Sequence, residues 1–167
     1  NSQIRMINLT SEIIQYKICL IYGLFMEDLF DEDNNRDFIT KSMNFLLNLI
    51  INVNDRNIGL CYQAMHSFDQ LIDSDKFAEI AKGVVASRLD VLIKMISNVK
   101  IDIFFDVINS MIRRLKMENV FTSLIAALIQ RFGDEVAKSG RKSNVFITKE
   151  LKCIKSIIEN KTGDNAE

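Results

Sequence analysis

The sequence predicts an all-α fold, and two of its features carry that prediction. None of the 167 residues is proline, although an average composition would supply about eight, so long uninterrupted helices are the simplest interpretation. Apolar residues recur at helical spacing, and no segment keeps the alternation of a half-buried strand. Two stripes illustrate the spacing: Leu60, Cys61, Ala64, Phe68, Leu71 and Ile72, and Ile103, Phe104, Val107, Ile108, Met111, Ile112 and Leu115.

Seven helices are predicted between short polar clusters. The clusters at 31–37, 52–56, 73–75 and 138–144 carry residues that commonly cap the amino terminus of a helix. Between them we expect helices at about 11–29, 36–52, 56–72, 76–97, 101–116, 118–138 and 145–160.

Taken in pairs, these helices begin a new hairpin about every 45 residues, which lies within the 40 to 47 residues of HEAT and armadillo units. The sequence therefore predicts an α-solenoid of about 3.5 repeats. Residues 1–167 would form one segment of a longer superhelix, with hairpins at about 11–52, 56–97 and 101–138, a half-repeat at 145–160 and a flexible tail at 161–167. The helix at 118–138 has an apolar face wider than one core contact requires, so we expect neighbours on both of its sides.

Composition excludes several classes of protein. The 21 basic and 22 acidic side chains give a formal charge of −1, which provides no general field for attracting nucleic acid. The three cysteines, Cys19, Cys61 and Cys153, lie far apart and support neither a disulfide framework nor a structural zinc site, so a reducing compartment fits best. The apolar runs are shorter than the roughly 18 residues that a membrane span needs.

The sequence offers no catalytic constellation. His66 is the only histidine, and Cys61 lies about 140° away from it around the helix, so the two would not share a face. A histidine in the core or on the surface is the favoured interpretation. We therefore expect a protein that is not an enzyme and that has no catalytic residues, cofactor or metal.

Two charged clusters have a structural and a functional interpretation each. The acidic group at 27–33 lacks the ligand pattern of a calcium loop, so it is either a solvated helix end or an acidic spot for a basic partner. Lys138, Arg141 and Lys142 surround Gly140 without the spacing of a phosphate loop. They predict a basic loop between repeats, with a contact to an acidic partner as the alternative.

Three stretches carry a family resemblance. They are the aromatic-rich helix that ends in an acidic loop at 16–33, the helix at 58–72 followed by 85–96, and the segment 106–112 followed by 128–136, which contains the phrase Phe-Gly-Asp-Glu. Together they resemble the importin-beta-type karyopherins, the HEAT-repeat nuclear transport receptors, especially the large importin and CAS-like branch. HEAT units often carry a proline that bends the first helix, and this chain has none.

The resemblance implies a protein of the cytoplasm and nucleus that binds cargo and the GTPase Ran on an inner surface, while phenylalanine-glycine repeats of nucleoporins dock between outer helices. A HEAT scaffold of a chromatin, translation or vesicle-trafficking assembly is the alternative. Helix assignment places 36–52, 76–97 and 118–138 on the inner surface. Their polar residues are the candidates for partner binding: Arg36, Lys41, Asn44, Asn48, Arg88, Lys94, Gln130 and Arg131.

Overall fold

A computed structural model describes residues 2–115, 118–139 and 144–163, with side chains for 11–31, 34–115, 122–138 and 144–160. These ranges contain eight α-helices, one short 3-10 helix at Asp75–Phe77 and no strand. The helices are α1 Ser2–Leu29, α2 Glu32–Ile51, α3 Ile58–Asp73, α4 Ala78–Ala86, α5 Leu89–Ile96, α6 Ile103–Leu115, α7 Glu118–Ser139 and α8 Val145–Gly163. The predicted all-α class is confirmed.

The chain divides into two compact units, Asn1–Val84 and Val85–Glu167. In the first unit, α3 packs against both α1 and α2. The thiol of Cys61 donates a hydrogen bond of 3.0 Å to the carbonyl oxygen of Leu49, which ties α3 to α2. The core between the three helices is apolar, and its largest fully buried side chains include Met26, Ile39, Met43, Leu46, Leu47, Ile50, Met65 and Phe68.

Helices α1 and α3 run parallel and lie about one predicted repeat apart. Gly23 faces Ser67 and Gln70 near the middle of the contact. Further along, Ser74 Oγ donates to Glu27 Oε1 at 2.9 Å, and Lys76 Nζ donates to the Glu27 carbonyl oxygen at 2.8 Å. In these contacts, a higher residue number on the α1 side is paired with a higher residue number on the α3 side, so the two helices run in the same direction.

The second unit repeats this arrangement with α6, α7 and α8. Helix α8 packs against α6 and α7, and α7 also packs against α5, so two helices neighbour α7. Four contacts join α6 to α8, and their partners are 43 to 48 residues apart in sequence: Lys149 with Asp106, Cys153 with Phe105, Ser156 with Asn109, and Asn160 with Ile112. Each unit thus has the α-solenoid arrangement of HEAT- and armadillo-like hairpins.

Several boundaries differ from those predicted. Helix α1 was expected to begin at about residue 11, but it begins at Ser2 and runs through Thr10 and Ser11 without a break. Helix α2 begins at Glu32 after Asp31, which lies in the extended region at the N-cap position. Helix α8 continues to Gly163, past the predicted helix end at about 160 and into the segment predicted as a tail; residues 164–167 lie outside the described ranges.

The predicted helix at 76–97 is interrupted. It begins as the 3-10 turn, continues as α4, and breaks before α5 at Arg88, whose φ of −129° and ψ of 11° are not helical. There the Arg88 amide bonds to the carbonyl oxygen of Val85, three residues back, instead of four. Apolar spacing continues across this break, because both pieces bury a face, so periodicity alone does not reveal it.

Candidate functional site

The first unit carries an apolar groove between the parallel helices α1 and α3. It encloses about 370 Å³. Its lining consists of Glu12, Ile13, Tyr16, Lys17 and Leu20 from α1 with Gly59 and Leu60 from α3. A side chain at Gly59 would meet no heavy atom within 4 Å, so the missing Cβ contributes to the open space. The groove is a recess for an apolar side chain, with one acidic and one basic residue in its lining.

Helix α1 also presents apolar side chains to solvent next to this groove. Cys19 and Met26 on its inner side are buried, whereas its outer side is exposed over several turns. Over residues 11–29, where the side chains of α1 are described, the exposed large apolar residues are Ile13, Ile14, Tyr16, Ile21, Leu24, Phe25 and Leu29. A helix on the surface of a globular protein usually turns a polar face outward, so this composition is typical of an interaction surface.

The predicted partner-binding residues are divided between the two units. In the first unit, Arg36, Lys41 and Asn48 are exposed on α2, whereas Asn44 is half-buried and donates to the Thr40 carbonyl oxygen at 2.9 Å. Lys41 forms an exposed ion pair of 2.6 Å with Asp37, one turn away. A pair of this kind contributes little to stability, so these side chains remain accessible to a partner.

In the second unit, Arg88 and Lys94 are exposed in or beside α5, and Gln130 is exposed on α7. Arg131 is different, because it is only 7% exposed and cannot present its charge to a partner. The structure therefore removes Arg131 from the candidate partner-binding residues. Its neighbour Gln130 keeps its place among them.

Arg131 instead holds the second unit together. Its guanidinium donates to three carbonyl oxygens at the carboxyl end of α5: those of Ile96 at 3.3 Å, Ser97 at 2.8 Å and Val99 at 3.1 Å. Ile96 is the last residue of α5, and Ser97 and Val99 lie beyond it, so these carbonyls have no partner within the helix. An arginine there satisfies them and complements the helix dipole.

The same guanidinium meets two carboxylates. Glu135 Oε1 lies 3.2 Å from Nη2 of Arg131, and Glu150 Oε1 lies 3.3 Å from its Nε. Glu150 is fully buried, and neither of its oxygens has a hydrogen bond. Burial raises the pKa of Glu150; the charge of Arg131 opposes this shift, and the charge of Glu135 adds to it. This cluster joins α5, α7 and α8 and is buried at Arg131 and Glu150, so its role is structural.

A second charged cluster joins α6 to α8. Lys149 Nζ lies 2.9 Å from Asp102 Oδ2 and 2.5 Å from Asp106 Oδ2. Burial lowers the pKa of Lys149, but its bonds to the two aspartates outweigh burial and raise that pKa overall. Lys149 in turn lowers the pKa of Asp102. The charges satisfy one another, so this cluster also serves packing.

The remaining sequence candidates for chemistry stay apart. His66 is exposed on α3. The three cysteines are buried, and burial raises their pKa values to about 11 for Cys19 and Cys61 and to about 12 for Cys153, so they remain thiols instead of nucleophilic thiolates. Within the described ranges, no three His, Cys, Asp or Glu side chains are grouped so that they could hold a metal ion.

The charged clusters singled out in the sequence are only partly described. Glu27, Asp28 and Asp31 are exposed near the end of α1 and the turn after it, and Glu27 is engaged by Ser74 and Lys76. The loop residues Gly140, Arg141 and Lys142 lie outside the described ranges. Among the described helices, none combines the length and apolar character needed to cross a bilayer.

Comparisons of the chain with protein-family models, with curated proteins and with solved structures found no match. The class of protein rests on the fold: an all-α chain built from solenoid-type helical hairpins, with an apolar groove between successive helices of one layer. Sequence reasoning did not find that groove. Gly59, a glycine inside a helical stripe, is the one sequence signal that could have drawn attention to it.

Proposed function

We propose that this chain is a protein-binding segment of a HEAT-repeat nuclear transport receptor, and that the groove between α1 and α3 receives the phenylalanine side chains of nucleoporin repeats. One observation carries the proposal: an apolar recess of about 370 Å³ lies between α1 and α3. These two helices correspond to the predicted helices at 11–29 and 56–72, which are outside the set assigned to the inner surface. The family that the sequence resembles docks such repeats between outer helices. The class of partner rests on that resemblance.

The lining of the groove suits a phenylalanine. Ile13, Tyr16, Leu20 and Leu60 offer aliphatic and aromatic surface, and burying one such side chain contributes roughly 1.5–3 kcal/mol. After the cost of ordering a flexible peptide, a single site would bind on the order of millimolar. Affinity of that size suits a receptor that gains strength from many repeated contacts and still releases each one quickly.

Peptide titration tests the proposal. We expect a peptide with several phenylalanine-glycine repeats to shift the amide resonances of Ile13, Leu20 and Leu60, while a peptide with serine in place of each phenylalanine leaves them unchanged. Gly59→Leu should fill the groove and reduce binding at least fivefold. The matched control is Gly133→Leu on α7, where a new side chain also meets open space, and it should bind as the original chain does.

Two results would count against this site. Equal shifts with the serine peptide would show that the aromatic ring is not recognised. Equal binding by the Gly59→Leu and Gly133→Leu chains would place any phenylalanine site elsewhere on the protein.

Binding of Ran or cargo is a separate part of the proposal. The exposed residues Arg36, Lys41, Asn48, Arg88, Lys94 and Gln130 remain candidates for it, together with half-buried Asn44. Capture of the chain by Ran locked with GTP, lost on charge reversal of the basic residues with helicity unchanged, would support it. A HEAT scaffold of a chromatin, translation or trafficking assembly would have the same fold and would bind neither Ran nor the phenylalanine peptide.

A further inference from the structure

The outer face of α1 carries apolar side chains that no described residue of the chain covers. Ile14, Ile21, Leu24, Phe25 and Leu29 are between 49% and 66% exposed. They continue over about four turns of helix, which corresponds to a stripe about 24 Å long. Such a continuous apolar stripe on one helix is suited to packing against another helix.

The order of residues along this stripe is informative. Lys17, Ile21, Leu24 and Asp28 follow one another at spacings of four, three and four residues, so they lie on one line along α1. All four are exposed. The line has a cation at one end, an anion at the other and two aliphatic residues between them. If a second copy of this line is placed against the first in the reverse direction, each charge therefore lies opposite a charge of the other sign, and the aliphatic residues lie opposite each other.

We propose that two copies of this chain associate through their α1 helices in antiparallel orientation. With the two-fold axis between Tyr22 and Gly23, Lys17 of each copy pairs with Asp28 of the other, and Ile21 packs on Leu24 of the other. A two-fold interface uses the same patch on both copies. This line of residues meets that requirement, because it is complementary to a reversed copy of itself. Phe25 lies beside the line and adds apolar area.

The partner is a second copy because of this charge pattern. An unrelated apolar helix would cover the stripe equally well, but nothing would then require Lys17 and Asp28 to be placed symmetrically about its centre. A contact limited to one stripe on each helix buries less surface than a permanent dimer, whose interface buries about 2,000 Å² or more. We therefore expect a reversible dimer with a dissociation constant on the order of 10–100 µM.

Sedimentation velocity of the whole chain between about 1 µM and about 500 µM tests the proposal. The sedimentation coefficient should rise with concentration from the monomer value toward the dimer value. Ile21→Asp should weaken association at least tenfold. Ile158→Asp on α8 is the matched control, because Ile158 and Ile21 are both 51% exposed, and it should leave association unchanged. Circular dichroism of each variant checks that helicity is retained.

Charge exchange tests the orientation. Lys17→Glu and Asp28→Lys should each lower self-association about tenfold, because each places like charges opposite one another twice. A mixture of the two variants should associate at least as well as the original chain, since every pair in the mixed dimer joins opposite charges. Added salt should reduce this rescue.

A chain that stays monomeric at every concentration would overturn the proposal, as would an Ile21→Asp variant that dimerises normally or a mixture that fails to associate. Peptide binding by the groove between α1 and α3 is measured separately on dilute protein. The two hypotheses can therefore fail independently.

Discussion

Arg131 of α7 and Glu150 of α8 form a buried ion pair, with 3.3 Å between Arg131 Nε and Glu150 Oε1. The pair lacks the alignment of a hydrogen bond, and the other nitrogens of the guanidinium are directed to the carbonyl oxygens beyond α5. One side chain thus neutralises a buried carboxylate and ends a neighbouring helix.

Removing the guanidinium should destabilise the second unit. Arg131→Ala leaves the Glu150 charge buried without compensation and deprives three carbonyl oxygens of their donor, so we expect a loss of about 3–5 kcal/mol in the free energy of unfolding. The control is Gln130→Ala at the adjacent exposed position, which should change stability by less than about 0.5 kcal/mol. Urea unfolding followed by circular dichroism provides the measurement. Similar midpoints for the two variants would rule out a structural role of this size.

Glu150 should make stability depend on pH in the direction opposite to most carboxylates. Its pKa is raised in the folded chain, so the folded state takes up the proton more readily than the unfolded state does. This contribution is fully present below the unfolded pKa of about 4.3 and is lost as pH rises through the folded pKa. We therefore expect the free energy of unfolding of the Glu150→Gln chain, measured relative to that of the original chain, to be higher at about pH 7.5 than at about pH 4.5.

The control for this pH experiment is Glu159→Gln, since Glu159 is exposed on α8 and paired with Lys155 one turn away. Its stability relative to the original chain should vary little between the two pH values. A Glu150→Gln difference that is constant with pH would mean that Glu150 has the same pKa in the folded and unfolded states.

Gly23 should not tolerate even a methyl group. A Cβ there would lie 2.8 Å from Ser67 Oγ and 3.0 Å from Ser67 Cβ, and Ser67 Oγ already accepts a hydrogen bond from Gln63 at 3.1 Å. Gly23→Ala should therefore separate α1 from α3 and cost about 1–3 kcal/mol. Gly83→Ala, at a position inside α4 with open space, should instead stabilise by about 0.5–1 kcal/mol. Thermal unfolding of both variants compares them; a stabilised Gly23→Ala chain would contradict the close approach.

The bond between Ser156 and Asn109 should couple α8 to α6. Ser156 Oγ donates to Asn109 Oδ1 at 2.8 Å, and both residues are buried. Ser156→Ala leaves the Asn109 oxygen without this donor and should cost about 1–3 kcal/mol. A double-mutant cycle with Asn109→Ala should give a coupling free energy of about 0.5–3 kcal/mol. Additive losses would show that the two side chains act independently.

Helix positions could be predicted from the sequence because periodicity reports which face of a segment is apolar. Each of the seven predicted segments contains helix in the part of the chain that the structure describes, although one of them is broken at Arg88. The repeat spacing is seen again in the 43 to 48 residues that separate the contact partners of α6 and α8. The break at Arg88 was missed because apolar residues on both sides of it keep facing a core. Boundaries also shifted, as at the start of α1, which lies at Ser2 instead of about residue 11.

The candidate site was harder to predict, because it depends on what surrounds each residue. Arg131 and Gln130 are adjacent polar residues on one helix, yet one is buried and the other exposed. The carbonyl oxygens at the end of α5 and the carboxylates of Glu135 and Glu150 make burial of Arg131 favourable, and most of these groups reach Arg131 only through the packing of α5 and α8 against α7. The groove beside Gly59 likewise depends on the spacing of α1 and α3.

The four contacts between α6 and α8 differ in what they require of α6. Cys153 and Asn160 donate to the backbone carbonyl oxygens of Phe105 and Ile112, which every amino acid supplies. Two of the four contacts could therefore form whatever the residue types at these positions of α6. Successive repeats could in this way drift apart in sequence over evolution while their helices keep the same offset.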